Sequence, residues 1–540
     1  MNLRQTNLER LAKESFDVLI IGAGINGAIA AAALSTQGAH VALIDRGDFA
    51  SLTSQESSNL VWGGIKYLES FEFGLVRKLC RCRNELIASY PASVREIRFL
   101  VTLARGFRWP RSMLYAGAWF YWLIGSGFTR TPRLLSRSAI SREEPVVNVG
   151  CSPGGFEYSD AYLIDNDARF TFRFVRGALD YGAVVANYAG ASHSARNPDG
   201  VWVTPVTDSL TGSRFQIRSR TLINACGPYV DAYNEASAQP TEHCHVLSKG
   251  VHITVKRLSA TPRVLTFFAS DGRLFFVIPM GPVSCIGTTD TRVASPETVV
   301  SEADRRFVLD NINKRLRLAK PLTPDDILAE RCGVRPLAVS RSRGDTATQD
   351  WTALSRKHVI ELDPRTGYMS IFGGKLTDCL NVGREVSAAL HTSGIRLPFR
   401  RTKWYGEPDR KIRDDFLHRA ALLGLDAMTA PESSEPISKR LWRRYGWRAL
   451  SLLEDIRQDP RMAEVLIQGT EYIRCELYHA AQHEMVTKLE DFLRRRSKIA
   501  LIARRDTIGK APGLMEACRI LFGSDAQARF EEYFAGQSKG

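Results

Sequence analysis

A short β-branched run, Phe16 to Ile21 (FDVLII), leads directly into Gly-Ala-Gly-Ile-Asn-Gly, and this order constrains the fold more than any other feature of the chain. An alanine-rich stretch (IAAAALSTQG) then closes on Gly38, and a second run, HVALID, ends at Asp45. Apolar runs without polar alternation suit strands buried on both faces of a parallel sheet. The alanine-rich segment with its terminal glycine suits the crossover helix between them. Gly22, Gly24 and Gly27 make G-x-G-x-x-G between strand and helix, around Ile25 and Asn26. The first glycine allows a tight turn, the second lets backbone approach a pyrophosphate, and the third lets the helix pack closely on the sheet. Amide groups and the dipole at the helix N-terminus then face the phosphates. Asp45, 21 positions past Gly24, is placed to accept hydrogen bonds from ribose hydroxyls. The unit predicts dinucleotide binding. It does not separate FAD from NAD, which share the ADP half.

At 540 residues the chain is too long for one compact core, and two or three domains are expected. Strand-like runs recur at VVANYA, VWVTPV, TLINACG, HITVKR, RLFFVIP, VSCIGTTD and MSIFGG, separated by turn residues. They predict an α/β fold in which a Rossmann-type domain is interleaved with an antiparallel β substrate domain over residues 1–400. Beyond that the strand signal stops. KRLWRRYGWRALSLLEDI and YIRCELYHAAQHEMVTKLEDFLRRRSKIAL carry helical apolar spacing with basic outer faces, which predicts a separate α-helical C-terminal domain over 401–540.

The net charge of +15 implies an anionic partner, and nucleic acid, a phospholipid surface and a phosphorylated metabolite all qualify. Zinc-finger spacing, an RNA-binding aromatic signature and a basic tail are all missing, so nucleic acid is not expected. The ten cysteines are scattered without metal-ligand spacing, so no metal site is expected and they read as reduced packing residues. The polar N-terminus does not read as a secretory signal. One stretch, Ser112 to Gly127 (SMLYAGAWFYWLIGSG), is strongly apolar and aromatic between Arg105, Arg108 and Arg111 on one side and Arg130 and Arg133 on the other. It is shorter than the roughly 20 residues a spanning helix needs. Two readings stand: a buried helix, or an interfacial segment whose aromatics sit at headgroup depth while the arginines meet anionic lipid.

Further blocks follow IIGAGINGA in one order along nearly the whole chain: SSNLVWGGIKYLES, GFEYSDAYLIDNDAR, LINACGPYVD, KGVHITV, FVIPMGPVSCIGTTD, CGVRPL, FGGKLTD and EYIRCELYHAAQHE. In these blocks the chain resembles the FAD-dependent glycerol-3-phosphate dehydrogenases of the D-amino-acid-oxidase-like flavoprotein superfamily, as a divergent member. The resemblance implies FAD, and oxidation of sn-glycerol 3-phosphate to dihydroxyacetone phosphate by hydride transfer to the flavin. It also implies a membrane quinone as acceptor. An anionic membrane surface is then an expected partner, and the expected location is the cytoplasmic side of the inner membrane or the cytoplasm, with a homodimer as a candidate assembly.

By the same resemblance Thr53, Ser54, Ser57 and Ser58 lie near the pyrophosphate and flavin, with Gly63 and Gly64 under the isoalloxazine. Gly227, Gly373, Gly374, Lys375, Leu376 and Thr377 complete the pocket. Arg335 and Arg356 match substrate-site arginines, and a guanidinium fork suits a phosphate dianion. Lys375 is placed to stabilise negative charge on a reduced ring, while Lys249 and His252 are candidates for handling the hydroxyl proton, beside Tyr67. The chain departs from the family where a histidine usually precedes the glycine pair, an arginine the tyrosine, and a lysine stands in place of Asn59: here Trp62 and Lys66 occupy the first two positions. Lys66 keeps a charge without the fork, and Trp62 adds bulk without a titratable group. Two alternatives stay open: a relative acting on another small hydroxy, amino or phosphorylated substrate, and a membrane-associated flavoprotein without turnover.

Overall fold

The computed structural model describes residues 3–150, 152–269, 271–343 and 357–535. Helix α1 (Leu3–Lys13), strand β1 (Ser15–Ile21), helix α2 (Ile25–Thr36) and strand β2 (Val41–Ile44) open the chain. β1 lies between two parallel neighbours, β2 and Arg214–Asn224. Val184–Ala186 and Tyr368–Phe372 extend the parallel set on either side, with Val359–Asp363 antiparallel at one edge. Val18 to Ile21 are all buried, which is why the run shows no alternation. The alanines of α2 are buried too, and their small side chains admit close packing by the helices Asp167–Asp180 and Cys379–Thr392.

Among the described residues a second sheet has ten strands. Its axis is the long strand His243–Lys256, paired over most of its length with Ala329–Ser340. Its pairings are antiparallel except that Val264–Phe268 runs parallel to Val94–Thr102. The chain passes repeatedly between the two sheets, so the interleaving read from the sequence is present. Each of the seven strand-like runs contains a strand, whereas Val94–Thr102, Gly155–Leu163 and Ala329–Ser340 carried no legible signal.

Among the described residues the named strands end at Tyr368–Phe372. Helices follow, including Arg410–Leu422, Ile437–Tyr445, Ala449–Gln458, Arg474–His483 and Leu514–Phe522, around two apolar clusters of their own. The aromatic segment forms the helix Arg111–Ile124, which buries Ala118 and Tyr121 and exposes Met113, Phe120 and Leu123. It is therefore not a core helix. No helix among the described residues is long and apolar enough to cross a membrane.

Candidate active site

Two cavities of about 250 and 260 Å³ share Thr53 and Ser54 in their walls, and together they form a cleft running from the glycine turn to the second sheet. At the turn, Gly22 has φ +97°, and a Cβ there would stand 2.5 Å from the Ala225 carbonyl oxygen. A Cβ on Gly27 would stand 1.8 Å from the Gly22 carbonyl oxygen, so these two glycines set the turn. At Gly24 a Cβ would meet only Ser54 Oγ, at 3.2 Å, so this glycine instead keeps the approach to the helix N-terminus clear. Ser54 Oγ accepts from the Ile25 N–H at 2.9 Å. Asp45 accepts from the N–H groups of Ala23 and Gly47 at 2.7 and 2.9 Å, and burial raises its carboxyl to about 6. Asp45, Gly227 and Tyr229 line this half, with the Arg46 guanidinium 3.8 Å from the Tyr229 ring centroid. The paired backbone clearances, the helix N-terminus and the buried acid fit the ADP half of a dinucleotide.

The other half is lined by Ser57, Ser58, Trp62, His252, Arg335 and Lys375, with Leu376 and Thr377. Arg335 donates to Thr288 Oγ1 at 2.8 Å and lies 3.8 Å from Asp290. Its guanidinium rests on Gly250, where a Cβ would be 2.0 Å from Nη2. Only glycine leaves that berth open. His252 is 4% exposed, and burial, reinforced by the charges of Arg335 and Arg331, pushes its imidazole down to about 3. It is neutral at ordinary pH, and its buried Nδ1 makes no hydrogen bond among the described residues. The Lys375 ammonium stands 4.2 Å from the Tyr67 ring centroid and 5.3 Å from that of Trp62. Trp62 in turn donates to the Tyr158 hydroxyl at 3.0 Å. Its bulk is thus a wall of the cavity and a partner for the lysine.

Other expected site residues act at one remove. Asn26 donates to the Gly373 carbonyl at 3.0 Å, tying α2 to the GGKLT loop, and Gly374 lines the cavity. Thr53 donates to the Val334 carbonyl at 2.6 Å. Gly63 and Gly64 are buried outside the cavity lining: the Gly63 N–H donates to Asp160, and Gly64, at φ +82°, packs on the Tyr67 ring. Asn59 has φ 59°, a conformation asparagine tolerates, and its side chain binds the Asp165 carbonyl.

Two expectations are corrected. Lys66 is exposed on the short turn Ile65–Leu68 and does not line the cavity; the adjacent Tyr67 does not line it either, and instead packs partly buried on the core with its ring beside Lys375. Lys249 is committed to a buried ion pair with Asp304 at 2.5 Å, behind the strand face that carries His252. Arg356 lies outside the described residues, while its neighbour Lys357 lines the cavity.

Sequence reasoning missed two supports. His358, beneath the GGKLT loop, is held by Asp378 and Glu385. The loop bearing Thr53 to Ser58 is anchored from the far end of the chain: Arg495 and Arg496 bind Asp48 at 2.7 and 2.8 Å, and Arg494 binds Glu56 at 2.8 Å. These arginines were read as a basic outer face, yet all three are buried.

Residues 17–377 match the family described as FAD dependent oxidoreductase, and residues 410–529 the C-terminal domain of alpha-glycerophosphate oxidase. The chain is 31% identical over 510 residues to glycerol-3-phosphate dehydrogenase 2 of Mycobacterium tuberculosis, covering 91% of this chain and 82% of the relative. It is 30% identical over 496 residues to the aerobic glycerol-3-phosphate dehydrogenase of Escherichia coli, covering 90% and 94%. The crystal structure of the glycerol-3-phosphate dehydrogenase from Bacillus halodurans complexed with FAD has the same fold, with a TM-score of 0.73 at 23% identity over 99% of this chain and 97% of that one. The sequence matches span both the sheets and the helical region, and the cleft has the shape a dinucleotide needs. On these grounds the chain belongs to the FAD-dependent glycerol-3-phosphate dehydrogenase family, with FAD as its cofactor.

Proposed function

We propose that the chain oxidises sn-glycerol 3-phosphate to dihydroxyacetone phosphate, with Arg335 holding the phosphate and His252 accepting the hydroxyl proton. The observation that carries this reading is the pairing in one cavity of a guanidinium with a neutral imidazole whose buried Nδ1 has no hydrogen-bond partner among the described residues. FAD, when bound, supplies the hydride acceptor. Arg335 fixes the substrate through its phosphate, and its fork selects a phosphorylated alcohol over a plain one. A neutral His252 can take the hydroxyl proton; burial is the main cause that depresses it, and a phosphate beside Arg335 would offset the smaller part that the guanidinium contributes. Lys375, held between Trp62 and Tyr67, supplies positive charge at the same cavity.

Anaerobic mixing of the holoprotein with sn-glycerol 3-phosphate should bleach the flavin absorbance. Arg335→Ala should lose about 1.5 to 3 kcal/mol, roughly ten- to hundredfold in kcat/KM, whereas Lys66→Ala should change little. The opposite ranking would overturn the assignment of the phosphate to Arg335.

We read the electron acceptor as a membrane quinone, reached by peripheral attachment at the cytoplasmic face of the inner membrane, and the chain as two units meeting near residue 400. Support for attachment comes from an exposed apolar patch in which Phe73 contacts both Phe71 and Phe120, and Leu123 is 63% exposed, in a segment flanked in sequence by Arg108 and Arg130, which pair with Glu69 and Glu96. Phosphatidylglycerol vesicles should co-sediment the protein at low salt, and Phe120→Asp with Leu123→Asp should abolish this. Unchanged sedimentation of the double variant would remove the patch from the reading.

A further inference from the structure

A cavity of about 510 Å³ lies between the helix Asp167–Asp180 and the helical region beyond residue 400, and it shares no lining residue with the dinucleotide cleft. Arg169, Arg173 and Arg176 face it from one side of that helix, at the spacing that puts side chains on a common face. Lys403, Arg443, Arg444 and Arg448 face it from the other region.

Two of these cations are matched by carboxylates of their own. Arg443 pairs with Asp165 at 2.8 Å and with Glu435, while Arg444 pairs with Glu471 and, at 2.8 Å, with Glu476. The lining itself holds seven cations and four carboxylates, Asp165, Asp180, Glu407 and Glu484, while Glu435, Glu471 and Glu476 lie behind Arg443 and Arg444. Glu484 binds Arg169 at 2.6 Å and reaches Arg176 only at 3.5 Å, and Asp180 is taken by Arg448 at 2.5 Å. Glu407 accepts from the Ala92 N–H and the Trp442 indole. The hydrogen bonds of Arg173 go to neutral acceptors, Ser93 Oγ at 2.9 Å and the Arg443 carbonyl. Among the described residues the buried Nε–H groups of Arg176 and Arg448 find no acceptor. Burial lowers Arg173 from its ordinary value and brings Arg176 down to about 10, against the opposing pull of Glu407 on the first and Glu484 on the second.

We propose that this cavity binds a small, soluble phosphate-bearing dianion, bridging the FAD-binding fold to the helical C-terminal region. Phosphate oxygens can accept from the two orphaned Nε–H groups and from Arg173, along a wall whose cations outnumber its carboxylates. A ligand held from both sides would stabilise the packing of the two regions.

Calorimetric titration of the FAD-loaded full chain with inorganic phosphate, at ionic strength held constant with chloride, tests this. Two classes of site are expected. One should be lost in Arg335→Ala, and the other should persist there but weaken about tenfold in Arg173→Gln, the loss of one charge-assisted contact. Phosphate should also raise the thermal midpoint of Arg335→Ala, and raise it less when Arg173→Gln is added to that variant. If Arg173→Gln does not fold, Lys403→Ala, at the exposed lip, should bind phosphate several-fold more weakly. The proposal is overturned if all phosphate binding disappears with Arg335→Ala, or if it is unchanged in Arg173→Gln or, where that variant does not fold, in Lys403→Ala.

Discussion

His358 should make the stability of the holoprotein depend on pH in a window just above neutrality. Its Nδ1 lies 2.6 Å from Asp378 Oδ2 and its Nε2 2.8 Å from Glu385 Oε2. Burial alone would lower the imidazole, but the two carboxylates outweigh it and raise it to about 8 from 6.5. A group whose folded value lies above its unfolded value contributes stability that is complete below the unfolded value and is lost as pH rises through the folded one. The rise of roughly 1.5 units corresponds to about 2 kcal/mol at about 1.4 kcal/mol per unit. That amount should be present below about pH 6.5 and absent above about pH 8.5. Asp378 ends the turn that carries Leu376 and Thr377, so FAD should also be released more readily at the alkaline end. The assay is urea unfolding at fixed excess FAD across the window, with His358→Gln as comparison. The native protein should lose stability as pH rises while the variant, already lacking the contribution, stays nearly flat. Equal slopes would refute the argument.

Gly27→Ala places a methyl where the structure leaves 1.8 Å to the Gly22 carbonyl oxygen, so the variant should purify with little flavin and a lowered thermal midpoint. Gly24→Ala meets only Ser54 Oγ, and should weaken FAD binding while leaving the midpoint of the FAD-free protein close to native. Equal midpoints for the two FAD-free variants would refute this division of roles. Asp48→Asn leaves Arg495 and Arg496 without their shared buried carboxylate, a change expected to cost about 3–5 kcal/mol. Faster FAD loss and a lowered midpoint should appear together, and a native FAD dissociation rate would show that the loop does not depend on the clamp.

The cofactor half of the cleft was legible because its information is local. A strand, three glycines, a helix and a terminal acid lie within residues 16–45, and each glycine spacing has one backbone meaning. The substrate half is assembled by register between distant strands, His243–Lys256 against Ala329–Ser340, which sets Ser248 opposite Arg335. Sequence blocks named the right strands but could not say which side chains face inward. Lys249 and His252 are three positions apart on one strand, so they point to opposite faces: one reaches Asp304, the other the cavity. Lys66 and Tyr67 are neighbours on a 3-10 turn, where one step rotates a side chain by about 120°, enough to put the charge in solvent and the ring beside Lys375. The arginines of DFLRRRS misled for a different reason. A run of charges on a helical pattern reads as a solvated face because its counter-charges are sought nearby. Here Asp48 and Glu56, more than 430 positions earlier, supply much of the compensation. The burial is offset because each of the three guanidiniums finds a carboxylate: Glu56 for Arg494, Asp48 and Asp491 for Arg495, and Asp48 for Arg496. The helical C-terminal region thereby braces the candidate cleft without lining it, through ion pairs to the segment whose hydroxyls join its two halves.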